Sequence, residues 1–131
     1  MTLISVTRLR LRSIRFLPAF FWHAIQSNAQ AKRASGNLAS TVRRQGMTVF
    51  WTMTIWDNEA SMRSYMRSGS HGKVMPKIQN WCDEASVVHW QTENAALPTW
   101  KEAETAMITQ GRFTPLKHPS IAHQTQQFHQ G

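Results

Sequence analysis

Alternation between apolar and basic residues opens the chain. Across residues 3 to 12, Leu9 and Leu11 fall on one side of an extended backbone and Arg8, Arg10 and Arg12 on the other, which predicts a strand. Ser13 can then cap a helical turn with its hydroxyl, and Pro18 lies where its missing N–H costs least. Ile14, Leu17, Phe21, Ala24, Ile25 and Ala31 recur at helical spacing, with Phe20 beside them, so a helix with a broad apolar stripe is expected to end near Gly36. Asn37 to Arg44 reads as a second strand, and Gln45-Gly46 as the turn of a hairpin. MTVFWTMTIW, residues 47 to 56, is the clearest strand. Its odd positions, Met47, Val49, Trp51, Met53 and Ile55, are wholly apolar, while Thr48, Phe50, Thr52, Thr54 and Trp56 form a smaller, more polar face with two aromatics. The apolar face is expected against helices, and the other is expected to line a cavity.

Asp57 or Asn58 suits the cap of the next helix, which should reach about Ser68 with Met62, Tyr65 and Met66 inward. Gly69, His71, Gly72 and Pro76 interrupt it, and a second helical piece follows from Val74 to Trp81. EASVVHWQ, residues 84 to 91, reads as the fourth strand. Thr99 and Glu102 have the spacing of a capping box for a short last helix that Gly111 terminates. The order β-α-β-β-α-β predicts an α+β, ferredoxin-like domain over residues 1–111: an antiparallel four-stranded sheet with helices on one face, and an extra short C-terminal helix. Residues 112–131, with two prolines and several Gln and His, are expected to be a loosely packed tail. Helices over one side leave the other, expected to bear Phe50 and Trp56, in need of water, RNA or a second sheet.

Composition narrows these choices. A chain of 131 residues is most simply one domain. Cys82 is the only cysteine, so no intramolecular disulfide forms, which fits a reducing cytoplasm. Residues 1–56 carry eight Arg or Lys and no acid, whereas the remaining residues balance seven bases against seven acids. That asymmetry suits an anionic partner or a solvated basic face. RNA-binding modules of this strand order stack bases on aromatics in strands one and three; ISVTRL has none and GMTVFWTM lacks the basic-Gly-aromatic pattern, so nucleic acid is disfavoured as a partner. No apolar run approaches the ~20 residues of a membrane span. The strand-like alternation, Pro18 and His23 argue against a signal peptide.

TIWDNEASMRSYMRSGSHGKVMPKIQNWCDEASVVHW resembles the strand–helix–strand half of dimeric α+β-barrel proteins, in particular the antibiotic-biosynthesis-monooxygenase-like and spheroidene-monooxygenase-like groups. Trp56 ending strand three, the polar cap after it, Tyr65 in the following helix and the Ser68-to-His71 segment carry the resemblance, which covers about residues 3 to 95. It implies a homodimer that holds a small hydrophobic or aromatic molecule and, in some members, oxidises it. Some relatives use no cofactor and others bind haem, so the cofactor is none or haem. In haem-degrading relatives the iron-ligating His matches a position near Met75 here, and Tyr65 stands where they place a Trp. On this reading His71 is the candidate catalytic residue, as a proton acceptor that a helix N-terminus keeps neutral. Trp56, Phe50 and Tyr65 form an aromatic wall, and Arg8 or Arg10 meets ligand charge. The alternatives are a kink that leaves His71 on the surface, aromatics that are interface core, and a binding or structural dimer without catalysis. His23 and His89 are placed where they can face the cleft, but a lone His there is usually just hydrogen-bonded. No metal-ligand spacing occurs.

Overall fold

The computed structural model describes residues 2–67, 76–93 and 96–127. The elements are β1 (Thr2–Leu11), a 3-10 turn (Ile14–Phe16), α1 (Leu17–Arg33), β2 (Asn37–Gln45), β3 (Val49–Trp56) and α2 (Glu59–Arg67). The helical residues 76–81 (α3), β4 (Cys82–Thr92), α4 (Trp100–Gln110), β5 (Arg112–Phe113) and α5 (Ile121–Gln124) follow. The sheet is antiparallel throughout, in the order β2-β3-β1-β4-β5. Its first four strands have the expected ferredoxin-like arrangement, and β5 adds a short fifth at the edge of β4.

Local chemistry accounts for most boundaries. Ser13 caps the 3-10 turn rather than α1 itself, its Oγ accepting from the Arg15 N–H at 3.3 Å, and Pro18 stands in the first turn of α1. Asn58 Oδ1 accepts from the Ser61 N–H at 2.8 Å and opens α2. Thr99 and Glu102 form the expected cap of α4, the Thr99 Oγ1 accepting from the Glu102 N–H at 3.1 Å. Gly36, at φ +86°, turns the chain from α1 into β2. A side chain there would run into Asp57 and Ser61, so only glycine lets the two helix ends approach.

Both faces of the sheet are covered by helices: the apolar face of β3 meets a helix and the other face lines a cavity, as expected, but the first helices lie over the face expected to be open and α4 covers the apolar one. The wholly apolar positions Val49, Trp51, Met53 and Ile55 of β3 pack with Ile4, Val6 and Val88 beneath Ala103 and Met107 of α4. The face bearing Phe50, Thr52, Thr54 and Trp56 lies under α1, α2 and α3. The side expected to await a second sheet is therefore roofed by the chain's own helices. Parity divides a strand into two faces but does not say which helix covers which. Here α4, though short, brings Ala103 and Met107 to the drier face.

The apolar stripe of α1 is also displaced. Phe20 and Ala31 are its buried positions, whereas Ile14, Phe21 and Ile25 are exposed, Ile25 by 67%. Residues 112–127 are held rather than loose. Thr114 N–H donates to the Ala85 carbonyl, Ser120 N–H to the Asp83 carbonyl, and the Ser120 hydroxyl to Glu84 Oε2 at 2.9 Å. His123 is buried against Phe113, with its Nε2 3.3 Å from the Ala85 carbonyl. Composition pointed to a loose tail, but this segment answers the hydrogen-bonding needs of β4, which has no other strand on that side.

Candidate functional site

Between α1, α2 and α3 and the sheet lies a cavity of about 260 Å³. Its existence follows from residue sizes. At one end Phe20 of α1 meets Phe50 of β3 with ring centroids 4.6 Å apart, and at the other Tyr65 of α2 meets Trp56 at 5.2 Å. Phe50 and Trp56 are six residue steps apart along the strand, a span of about 20 Å. Between these two aromatic props the floor is made of short side chains: Ser5 and Thr7 of β1, Ser40 of β2, Thr52 and Thr54 of β3. The helices are held off the sheet at both ends and nothing large fills the middle.

The props are themselves anchored. Trp56 is fully buried and donates its indole N–H to Thr54 Oγ1 at 2.8 Å. Tyr65 donates its hydroxyl to the Ser27 carbonyl of α1 at 3.0 Å, tying α2 to α1, and burial pushes its pKa up to about 12. A phenol so raised and so bound acts as wall and strut rather than as an acid. Phe50 touches Phe20 and Phe21 and lies beneath Arg44; it supports the roof and does not line the cavity.

Arg8 and Arg10 do not reach this site. Their even positions on β1 put them on the opposite face of the sheet from Trp56. Arg8 Nη1 lies 2.7 Å from Glu84 Oε1, with both side chains 3% exposed, and Arg10 Nη1 lies 3.1 Å from Glu84 Oε2. Burial and the neighbouring Arg10 hold Arg8 below the usual guanidinium range, with Asp83 opposing them. The basic first half is in large part consumed internally. Arg12 donates to the Asn80 carbonyl, and Arg43 pairs with Glu104 while stacking over Trp51 and Trp100. β1 lies between β3 and β4, so first-half cations meet second-half acids across the fold.

His71 lies outside the described residues, as do Ser68 and Met75. The histidine that does line the cavity is His23 of α1, with Ser27 one turn further on. Lys77 Nζ is 3.4 Å from His23 Nε2, and Trp81 stacks beside the ring at 5.7 Å. His23 Nδ1, Ser27 Oγ and Ser40 Oγ are buried and have no hydrogen-bond partner among the described residues. No Asp, Glu, Lys or Arg is among the described residues of the lining. The available signal for this site was the run of small and polar residues on α1, His23, Ala24, Ser27, Asn28 and Ala31, which marks a helix facing a space rather than a dry core. His89 stands at the far end of β4, away from the cavity lining, its pKa lowered by partial enclosure of the ring and by Arg112. Burial, reinforced by Asp83, pushes the Cys82 thiol up to about 12, which leaves it inert as a nucleophile.

The described residues do not fit a haem. A cavity less than twice the ~150 Å³ that holds one benzene ring is too small for a four-pyrrole macrocycle. Among them, no group of three His, Cys, Asp or Glu side chains converges to hold a metal ion.

The model of the domain of unknown function DUF3291 matches residues 15–114. The chain belongs to that family. A search of curated proteins finds no match to the DUF3291 chain. Among solved structures it is similar to Rv0793 from Mycobacterium tuberculosis, at a TM-score of 0.66 and 7% identity over 74% of this chain and 100% of that one. An antibiotic biosynthesis monooxygenase superposes at 0.62 and 12% identity, over 73% and 99%. SnoaB of Streptomyces nogalater, a cofactor-independent oxygenase, superposes at 0.56 and 12%, over 75% and 98%. At such identities the likeness is one of fold: the DUF3291 chain shares the ferredoxin-like α+β architecture of these proteins. No helix among the described residues is long and apolar enough to cross a membrane.

Proposed function

We propose that this protein binds a small, uncharged, mostly apolar molecule in the cavity beneath α1 and that its activity, where it has one, is a monooxygenase-like oxidation of that molecule. The observation that carries the reading is the cavity itself: two aromatic props, a floor of small hydroxyl residues, and no charged group among the described lining residues. Its volume, about 260 Å³, exceeds the ~150 Å³ of a one-ring site and matches a two-ring molecule. A fold shared with an antibiotic biosynthesis monooxygenase and a cofactor-independent oxygenase supports oxidation as the chemistry. Trp56 and Tyr65 supply the aromatic wall. A role for His71 as proton acceptor belongs to this reading, and His71→Ala should then slow turnover while leaving folding nearly unchanged.

A homodimer fits the same reading. Trp22 and Ile25 of α1 and Val42 of the edge strand β2 stand exposed, a surface that a second copy would cover. The single, buried Cys82 fits a cytoplasmic setting. Binding without catalysis is the alternative, and the cavity supports it equally.

The direct test is titration with a two-ring hydrocarbon such as tetralin, followed by intrinsic tryptophan fluorescence and by thermal shift. Binding to the native protein and its loss in Thr52→Leu, which fills the floor, is the expected result. No binding of any apolar probe, or binding unaffected by Thr52→Leu, refutes the cavity as the site. Turnover of a bound aromatic under air, measured as oxygen uptake, separates enzyme from binder, and sedimentation at micromolar concentration tests the dimer.

A further inference from the structure

The geometry points to His23, oriented by Lys77, as the polar anchor of the cavity: a donor that selects molecules carrying a hydrogen-bond-accepting oxygen, such as a ketone, over hydrocarbons of the same shape. The inference rests on the cavity being a ligand site and adds which chemistry it selects. A lysine ammonium has donors only, so the 3.4 Å approach of Lys77 Nζ to His23 Nε2 makes Nε2 the acceptor and places the ring proton on Nδ1. Nδ1 is buried, its residue lines the cavity, and it has no acceptor among the described residues. A buried N–H without a partner is costly, and a ligand oxygen would remove that cost.

Ser27, four residues further along α1, presents a second buried hydroxyl without a partner, on the same face of the helix. The Ser27 carbonyl is already taken by Tyr65, so what this turn offers a ligand is the hydroxyl. His23 and Ser27 therefore give one edge of an otherwise apolar space two hydrogen-bonding groups. Both can donate into an otherwise apolar space, where a carboxylate would lose its hydration, and this favours a neutral oxygen. Trp81 against the ring and Lys77 on its outer nitrogen keep the imidazole from turning away. The role is one of specificity, and no bond is made or broken.

The test compares 1-tetralone with tetralin, which share a two-ring skeleton and differ by one carbonyl. The native protein is expected to bind the ketone about tenfold more tightly, the worth of one net hydrogen bond. His23→Leu should abolish that preference by weakening the ketone while leaving tetralin bound. Long-range proton–nitrogen NMR of the histidine ring should show the Nδ1–H tautomer in the native protein and its loss in Lys77→Met, a change that a merely structural role would not produce. Equal affinity for the two probes, a preference that survives His23→Leu, or an Nε2–H tautomer in the native protein overturns the anchor. Failure of both probes to bind overturns the cavity reading on which it stands.

Discussion

Glu84→Gln would strip the charge from a carboxylate that three groups share: Arg8 at 2.7 Å, Arg10 at 3.1 Å and the Ser120 hydroxyl at 2.9 Å. Arg8 is only 3% exposed, so its guanidinium would be left buried without its directly bonded counter-charge, Asp83 acting on it only from outside the pair. Breaking a buried pair from one side costs roughly 3–5 kcal/mol, because the stranded ion loses its partner and does not regain water. For 131 residues the unfolding entropy near the midpoint is about 275 cal/mol/K, from about 2.1 cal/mol/K per residue. Glu84→Gln should therefore lower Tm by roughly 11–18 °C. Urea unfolding should show the same loss as a fall in midpoint at constant slope. Arg8→Met combined with Glu84→Leu should recover most of it, since neither charge is then stranded. If Glu84→Gln costs less than about 1 kcal/mol, the typical ceiling for an exposed pair, then Arg8 is solvated, the pair is not buried, and Arg8 is again available to a ligand.

Other expectations are briefer. Tyr65 is the only tyrosine, so alkaline absorbance near 295 nm reports it alone; in the native protein it should titrate at about 12, and a midpoint near 10, the ordinary phenol value, would mean that it is not buried. Both Tyr65 and Cys82 have folded pKa values above their unfolded ones, so their stabilisation is complete below about pH 9 and is lost as pH rises, from about 9 for Cys82 and from 10 for Tyr65, towards about 12. Urea midpoints measured across that range should decline, and those of Cys82→Ala should decline less. Ser120→Ala removes a hydrogen bond to Glu84 and the cap of α5, and should cost about 1–2 kcal/mol in urea unfolding; no change would mean that residues 112–127 do not dock. Arg43→Ala should cost about 1–2 kcal/mol by removing the stack on Trp51 and Trp100 and the link to Glu104, and a neutral result would detach α4 from β2.

Much of the site's scaffold was readable from local pattern, and its chemistry was not. Trp56 and Tyr65 both line the cavity because strand parity and helical period bring them together. Phe50 shares the parity of Trp56, yet becomes a prop because Phe20 sits directly on it. Arg8 and Arg10 were given the wrong task. Their face was legible from alternation, but the partner, Glu84, lies 76 residues from Arg8 and only the pairing of β1 with β4 brings it near. His23 is placed by the sequence where it can face the cleft, but nothing local distinguishes it from a merely hydrogen-bonded histidine, and the inward side of a helix that roofs a cavity need not be its most hydrophobic side.

Periodicity, caps and turns, each decided within a few residues, thus established from sequence alone the order of elements as far as α4, the ferredoxin-like connection and the strand faces. Which helix covers which face, where the arginines find their acids, and that a space remains between α1 and the sheet were decided only by tertiary packing. Those outcomes depend on the relative sizes of side chains that meet across the fold, Phe20 on Phe50 and Tyr65 on Trp56 with only Thr52 and Thr54 between. Residues far apart in the chain carry no mark of which of them will meet.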